Sequence, residues 1–435
     1  MSNISCGIDF GTTNSAVSIV KPMAVPELVP LEGNNVTMPT TVFFEEDTWK
    51  TSYGTEAIEN YINGTKGRFM RSMKRVLGSN LMSVGTRINN KPVKFEFILG
   101  KFLKNIQEKS DIFAGREIEN VVMGRPVHFR DDDPKGDIRA QDELKMIAQS
   151  VGYKNIEFQY EPIAAAFAHE TKISNETLAC IVDIGGGTSD ISIVKLGEKL
   201  QKKLDRTDDI LASTGVRIGG NDFDKNLSIK TFMPEFGMGT TYSERSLSVP
   251  THLYFSLSEW SSINSEYNYK NLNMVKKILA QSNDKERYSR LYELIDRQTA
   301  HTLLTAVEAT KMRLTEKEMA NIALNFMSKP FSVNANRQDF EASIMQNINK
   351  ISDSVSDCIN QAQIKPEDVK MLILTGGSTE IPYVQKVMQS YFPTAEISQE
   401  NKMSSVGLGL AYDAKRKFSG GNMENINTLL TQHTR

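Results

Sequence analysis

The chain has 435 residues, more than one compact core accommodates, so two or three domains are expected. Its 51 Lys and Arg nearly balance its 53 Asp and Glu, leaving a formal net charge of -2 with no extended basic block, which argues against a nucleic-acid partner. With 39% hydrophobic and 24% charged residues, no apolar run of bilayer-spanning length and no signal-like start, the sequence reads as a globular chain of the cytoplasm with no membrane partner.

The first informative segment is "CGIDFGTTNSAVSIV", Cys6 to Val20. An apolar strand leads to Asp9, a Gly/Thr turn follows through Gly11, Thr12 and Thr13, and from Asn14 a second apolar strand leaves. After it, "LEGNNVTMPTTVFFEED" reads as a turn and a short strand, with Pro39 breaking regular pairing. From Glu56 to about Leu77 the pattern is helical and basic. The segment "ENVVMGRPVHF" holds a strand, and Asp137 to Val151 reads as a helix. Another strand, "IEFQY", runs into "EPIAAAFAHE", where Pro162 sits in a helix's first turn and the alanines permit close packing.

A second copy of the opening design follows in "IVDIGGGTSDISIV", Ile181 to Val194. Three consecutive glycines weaken regular structure, so they need a local reason. One is a plain hairpin turn. The other is an anion cradle, with N–H groups from Gly185, Gly186 and Gly187 and the Thr188 hydroxyl aimed at a phosphate. Two such hairpins far apart, each with Asp before the turn (Asp9, Asp183) and Thr inside it, indicate an internally duplicated, two-lobed protein whose turns face one another. From Phe232 to Tyr269 the chain reads as an irregular insertion, then as helix from about Leu272 to Leu314 with a break near "SNDKERYS". In "VKMLILTGGSTEIPYVQKVMQSYF" a buried strand, a Gly turn and a helix follow one another, the order of a ligand-facing turn in an open sheet. The alternation of strands and helices predicts an α/β architecture. Cys6, Cys180 and Cys358 are scattered and read as buried thiols, and the five histidines form no metal-ligand pair.

These segments, in this order, resemble the ATPase domain of the seventy-kilodalton heat-shock chaperones, the DnaK-like proteins, and most of all their shorter YegD-like branch, within the actin-like ATPase superfamily. "MKRVLG" at Met73, "YEPIAAAF" at Tyr160, "RIGGNDFD" at Arg217 and "VEATKMRLT" at Val307 extend the resemblance over nearly the whole chain. It implies a two-lobed actin-like fold, each lobe a β-sheet core flanked by helices with a smaller outer part, and a nucleotide cleft between them. Lobe I would span 1–172, with an outer part at about 38–117, and be completed by a helix at about 400–418. Lobe II would span 173–399, with an outer part at about 227–320. The 419–435 tail is polar, and no peptide-binding domain is expected.

The resemblance implies ATP/ADP and Mg2+ as cofactors. Gly11, Thr12, Thr13, Asn14, Gly185, Gly186, Gly187 and Thr188 would hold phosphates, while Asp9, Asp183 and Asp190 would bind magnesium largely through its waters. Lys74, Glu161, Asp183 and Thr188 would carry the chemistry. Gly219, Gly220, Glu308, Lys311, Thr315, Gly376, Gly377 and Ser378 would line the nucleoside end. Where the chaperones place two arginines around adenine this chain has Met312 and Glu380, which removes a flat cationic surface. The expected function is a slow, Mg-dependent ATPase switch acting as a monomer with an unidentified protein partner. The alternatives are a small-molecule kinase, a filament-forming protein and a nucleotide-binding module without turnover.

Overall fold

A computed structural model describes residues 4–418 except 23, 90, 131–132, 171–172, 174, 201–202, 204, 243–246, 261 and 399–404. The polar tail and the first residues of the expected closing helix therefore lie outside the described residues. Two β-sheets dominate. The first runs in the order Asn155–Tyr160, Asn120–Arg125, Ser5–Phe10, Asn14–Val20, Glu27–Leu28, with Thr37–Pro39 also paired to Asn14–Val20. The second runs Ile210–Val216, Ser189–Leu196, Thr177–Ile184, Val369–Thr375, Glu396–Ile397. Each contains one Asp-bearing hairpin joined on its first strand to a parallel neighbour: Ser5–Phe10 to Asn120–Arg125 in one, Thr177–Ile184 to Val369–Thr375 in the other. The duplicated design read from the two hairpins is thus duplicated in topology.

Strands covered on both faces read as nearly continuous apolar runs, and both hairpins obey this: Cys6, Ile8, Phe10, Val17, Cys180, Val182, Ile191 and Ile193 are all fully buried. Each sheet has its own apolar core. A third cluster lies between them, built from Ala164, Ala165 and Ala166 of the helix Glu161–Glu170, Leu410 and Ala414 of the helix Ser405–Phe418, and Ile181, Val194 and Ile373 of the second sheet. Two positions let these helices approach closely. A Cβ at Gly409 would lie 1.8 Å from the Ala164 carbonyl oxygen, and one at Gly7 would lie 2.3 Å from the Ala411 nitrogen. At the far end of Glu161–Glu170, the fully buried Arg206 pairs with Glu170 at 2.9 Å and with Asp209.

Several local expectations are corrected. The basic stretch after Glu56 is not one helix: Gly54–Ile62 is helical, but Gly67–Arg71 is a strand paired antiparallel to Thr41–Glu45, and Met73–Val76 is a 3-10 turn. A neighbouring strand lying more than twenty residues upstream overrides the local pattern there. The segment from Phe232 to Tyr269 is not uniformly irregular, since it holds the helices Thr251–Leu257 and Ile263–Glu266. The helix expected from Asp137 starts earlier, at Pro134, because the Asp133 side chain accepts from the Gly136 N–H and caps it. Pro39 ends the strand Thr37–Pro39 opposite Asn14, and Thr41–Glu45 then pairs in a different sheet. The free cysteines Cys6, Cys180 and Cys358 are buried. No helix among the described residues is long and apolar enough to cross a membrane.

The close helix contact gives a test. Gly409→Ala places a methyl group against backbone, which cannot yield as a side-chain tip can, so it should cost about 1–3 kcal/mol and lower the thermal unfolding midpoint. An unchanged midpoint would show that the helices are not packed this tightly.

Candidate functional site

The hairpin turns are held open by their strands and end at the same place. In the first hairpin Asp9 pairs with Ala16; in the second Asp183 stands directly opposite Asp190. The Gly185 N–H donates to the Thr188 carbonyl at 3.0 Å and closes the second turn, while the Gly220 and Asn221 N–H groups donate to the Gly185 and Gly186 carbonyls at 2.9 and 2.8 Å. Those two bonds brace the turn through its carbonyls, so they use none of its own N–H groups. A Cβ at Gly219 would lie 2.6 Å from the Gly187 nitrogen, so only glycine fits there.

The turns meet across the lobes. A Cβ built on Gly186 would lie 2.0 Å from Thr13 Oγ1, and that hydroxyl is buried without a hydrogen-bond partner. A buried polar atom left unsatisfied is costly, so an orphaned hydroxyl at the junction of two glycine turns marks a place for an oxygen-rich ligand. Gly11, Thr12 and Asn14 lie in the same first turn and strand start. From a third segment, Arg75 reaches over and donates to the Gly187 carbonyl at 3.4 Å.

Below the turns sits a group of carboxylates with one cation. Lys74, in the 3-10 turn Met73–Val76, is only 9% exposed and pairs with Glu161 at 2.6 Å. Glu161 opens the helix Glu161–Glu170, and its side chain lies against Gly124. Burial alone would push the Lys74 ammonium down, but Glu161 and Asp9 outweigh it and hold it up. Burial, then Glu161, pushes Asp9 up to about 8 against the pull of Lys74. Burial and Glu161 likewise raise Asp183 to about 6, with a hydrogen bond from Thr375 opposing. Asp190 is raised to about 7 by burial of its surroundings and by Asp183, while a hydrogen bond with Thr188 opposes; its carboxylate stands open to the cleft, where water screens it. A cavity of about 20 Å³, with room for about one water, adjoins Glu161, Asp183, Asp190, Ser192 and Thr375.

Every donor here is an oxygen, which suits a hard cation such as Mg2+. Among the described residues no group of three or more His, Cys, Asp or Glu is close enough to ligate a metal directly. Such a cation would meet these carboxylates through its own waters.

Most of the residues expected to line a nucleoside fall on the turn after Val369–Thr375 and on the helix Ala300–Glu316. Gly376, at φ +80°, begins the turn after Val369–Thr375, and a Cβ there would lie 2.7 Å from Asp183 Oδ1. Gly377 and Ser378 follow, with Ser378 Oγ 2.7 Å from the Cβ position of Gly220. Lys311, on the helix Ala300–Glu316, pairs with Asp224 at 2.8 Å, and Glu308 lies one turn earlier on the same helix. The Thr315 hydroxyl donates to the Lys311 carbonyl, within its own helix. Met312 is 65% exposed. Sequence reasoning missed Asp224, whose burial raises it to about 6 and whose Oδ1 is buried without a partner. It also missed Arg71, Arg75 and Thr375. Asp224, Arg75 and Thr375 were signalled by their places in the quoted "GGNDFD", "MKRVLG" and "LILTGGSTEIP"; Arg71 gave no local sign.

Comparison with known proteins accords with this geometry. A family model described as "Hsp70 protein" matches residues 5–245 and 274–427, leaving out part of the segment read as an insertion. The chain is 26% identical over 418 residues to the chaperone protein DnaK of Thermotoga petrophila, covering 94% of this chain and 58% of that protein. Against a chaperone protein HscA homolog of Aliivibrio salmonicida it is 24% identical over 431 residues, with the same coverage of 94% and 58%. The DnaK of Mycoplasmopsis agalactiae is 27% identical over 416 residues, which is 93% of this chain and 57% of that protein. The chain thus spans under three-fifths of the length of these curated relatives.

The raised carboxylates fix the sign of a pH effect. A carboxyl whose pKa is higher folded than unfolded binds its proton more tightly in the folded state, so stability falls as pH climbs from the unfolded value toward about 8 for Asp9. The nucleotide- and metal-free protein should melt at lower temperature at about pH 9 than at about pH 5. Asp9→Asn should raise the midpoint at the higher pH and leave it nearly unchanged at the lower; equal effects at both would contradict the burial of Asp9.

Proposed function

The chain belongs to the Hsp70 family, whose members share the two-lobed actin-like ATPase fold, and from that premise we propose that its lobes form a switch that binds ATP, hydrolyses it slowly with magnesium, and reopens to exchange ADP. The observation that carries the reading is the meeting of Gly186 with Thr13, which sets two phosphate-sized turns from different lobes against one another. Phosphoryl transfer asks a protein mainly to position the terminal phosphate and to neutralise charge developing on it.

In this reading the N–H groups of Gly11, Thr12, Thr13, Gly186 and Gly187 hold the β- and γ-phosphates, Gly185 lining the cradle while its own N–H closes the turn, and the Thr13 hydroxyl gains the partner it lacks. Magnesium, held through its waters by Asp9, Asp183 and Asp190, would neutralise the phosphate oxygens when bound. Lys74 keeps its proton through Glu161 and Asp9 and presents its charge beside the turns. Glu161 orients that lysine and a water. Thr188 places a hydroxyl next to the γ-phosphate. Gly219, Gly220, Gly376, Gly377 and Ser378 supply the surface for the ribose and base, with Glu308 and Lys311 on the ribose side. With Met312 exposed and Glu380 in the 3-10 turn after Gly376, the base meets no planar cation from these two positions, so discrimination for adenine should be weak.

Purified protein should release phosphate from ATP slowly and only with magnesium. Lys74→Ala and Thr188→Ala should each lower the rate by at least about ten-fold. Undiminished turnover in both would discard the assignment. Calorimetric titration should give ATP and ADP binding that exceeds GTP binding only modestly, and ATP binding without any turnover would favour a non-hydrolysing nucleotide module instead.

A further inference from the structure

Across the second sheet the strand register sets four positions in one row: Gly215, Asp190, Asp183 and Thr375. Residues paired across neighbouring strands share a face, so the two carboxylates stand side by side between a glycine and a threonine. The two flanks differ. A Cβ at Gly215 would lie 3.0 Å from Asp190 Oδ1, so that side offers no side-chain donor. On the other side Thr375, the last residue of Val369–Thr375 and only 2% exposed, donates its hydroxyl to the Asp183 carboxylate. Gly376 then leaves room for that carboxylate, since a Cβ there would stand 2.7 Å from Asp183 Oδ1. Asp190 has a donor of its own in Thr188.

Packing alone does not hold Asp183 in place. The cavity of about 20 Å³ beside Glu161, Asp183 and Asp190 is bounded by Thr375 as well, so a carboxylate released from that hydroxyl has space to turn. Repulsion from Glu161 and Asp190 gives it reason to do so. A neutral hydroxyl pins the group without cancelling any of the negative charge that a cation would use. Carboxylates that serve metals rely on such outer hydrogen bonds for their orientation.

Thr375 is too deeply buried to meet a ligand, so whatever it does passes through Asp183. We propose that Thr375 is a positioning residue, whose hydrogen bond aims the Asp183 carboxylate at the waters of a nucleotide's magnesium ion and so lets Mg2+ strengthen nucleotide binding. This rests on the nucleotide reading of the cleft.

The test compares the affinity for ADP carrying a methylanthraniloyl fluorophore in Mg2+ with that in EDTA, a readout that needs no turnover. Mg2+ should tighten binding by the parent protein. Thr375→Val, which keeps the size and loses the hydroxyl, should shrink that gain about ten-fold, while affinity in EDTA stays close to the parent's. Thr375→Ser keeps the donor and should recover most of the gain. If Val prevents folding, seen as loss of the parent's thermal transition, Thr375→Ala and Thr375→Ser make the same comparison. An undiminished gain without the hydroxyl would overturn the positioning role alone, and so would an equal loss in Mg2+ and EDTA, the mark of a merely structural threonine. A parent that binds with no help from Mg2+ would overturn it too. A parent that binds no nucleotide in either condition would overturn the nucleotide reading and the role of Thr375 with it.

Discussion

The arrangement depends on how closely the two lobes approach at their base. Two hairpins on separate sheets can share a ligand only if their turns come into contact, and the contact of Gly186 with Thr13 is set by packing far below it. There the helices Glu161–Glu170 and Ser405–Phe418 are pressed between the sheets, with backbone against backbone where Gly409 meets Ala164 and where Gly7 meets Ala411. Cores packed to crystal-like density do not deform continuously, so the distance between the turns is fixed by these small residues. Glu161 joins the two levels, because the residue that opens the tightly packed helix also holds Lys74.

Charge explains why such a junction asks for a ligand. Asp183 and Asp190 are cross-strand partners, and like charges so placed repel. Asp9 and Glu161 add to the same field, against the single ammonium of Lys74. The cleft answers by keeping carboxyls protonated to unusually high pH, with Asp9 at about 8 and Asp183 at about 6. In the proposed reading a hydrated divalent cation would remove the need for those protons, and phosphate oxygens at the turns would use the Thr13 hydroxyl. Cation and polyphosphate would then satisfy opposite halves of one site, each making the other easier to accept.

Much of this was legible in the sequence where the cause is local. Glycines beside aspartate between apolar runs can be read as turns because backbone freedom and strand burial are written in neighbouring residues, and the third turn at Gly376 yields to the same reading. Recognition of the wider family rested on several such segments in order. What stayed hidden arises from pairing across distance. Gly67–Arg71 is basic and helix-like on its own, and becomes a strand because Thr41–Glu45 is there to receive it. Lys311 and Thr315 look alike as polar positions on one helix face, yet one finds Asp224 and the other bonds to its own helix. Neither the ring contacts of Tyr61 and His301, separated by 240 positions, nor the reach of Arg75 to Gly187 has any local signature.

The difference between base and top determines the kind of motion this fold permits. At the base the lobes are joined by main-chain contact and by a fully buried Arg206 held between Glu170 and Asp209; removing either partner would strand a charge, so this end resists separation. At the top they are joined by rings and a few hydrogen bonds, each individually weak and each able to exchange its partner for water. A body held firmly at one end and lightly at the other opens by rotation about the firm end. The glycine turns lie between the two, so a small rotation parts the outer surfaces most and the turns less. In the proposed reading, a nucleotide bridging the turns would act against that rotation through its phosphates, and losing the terminal phosphate would weaken the bridge while the base stays intact.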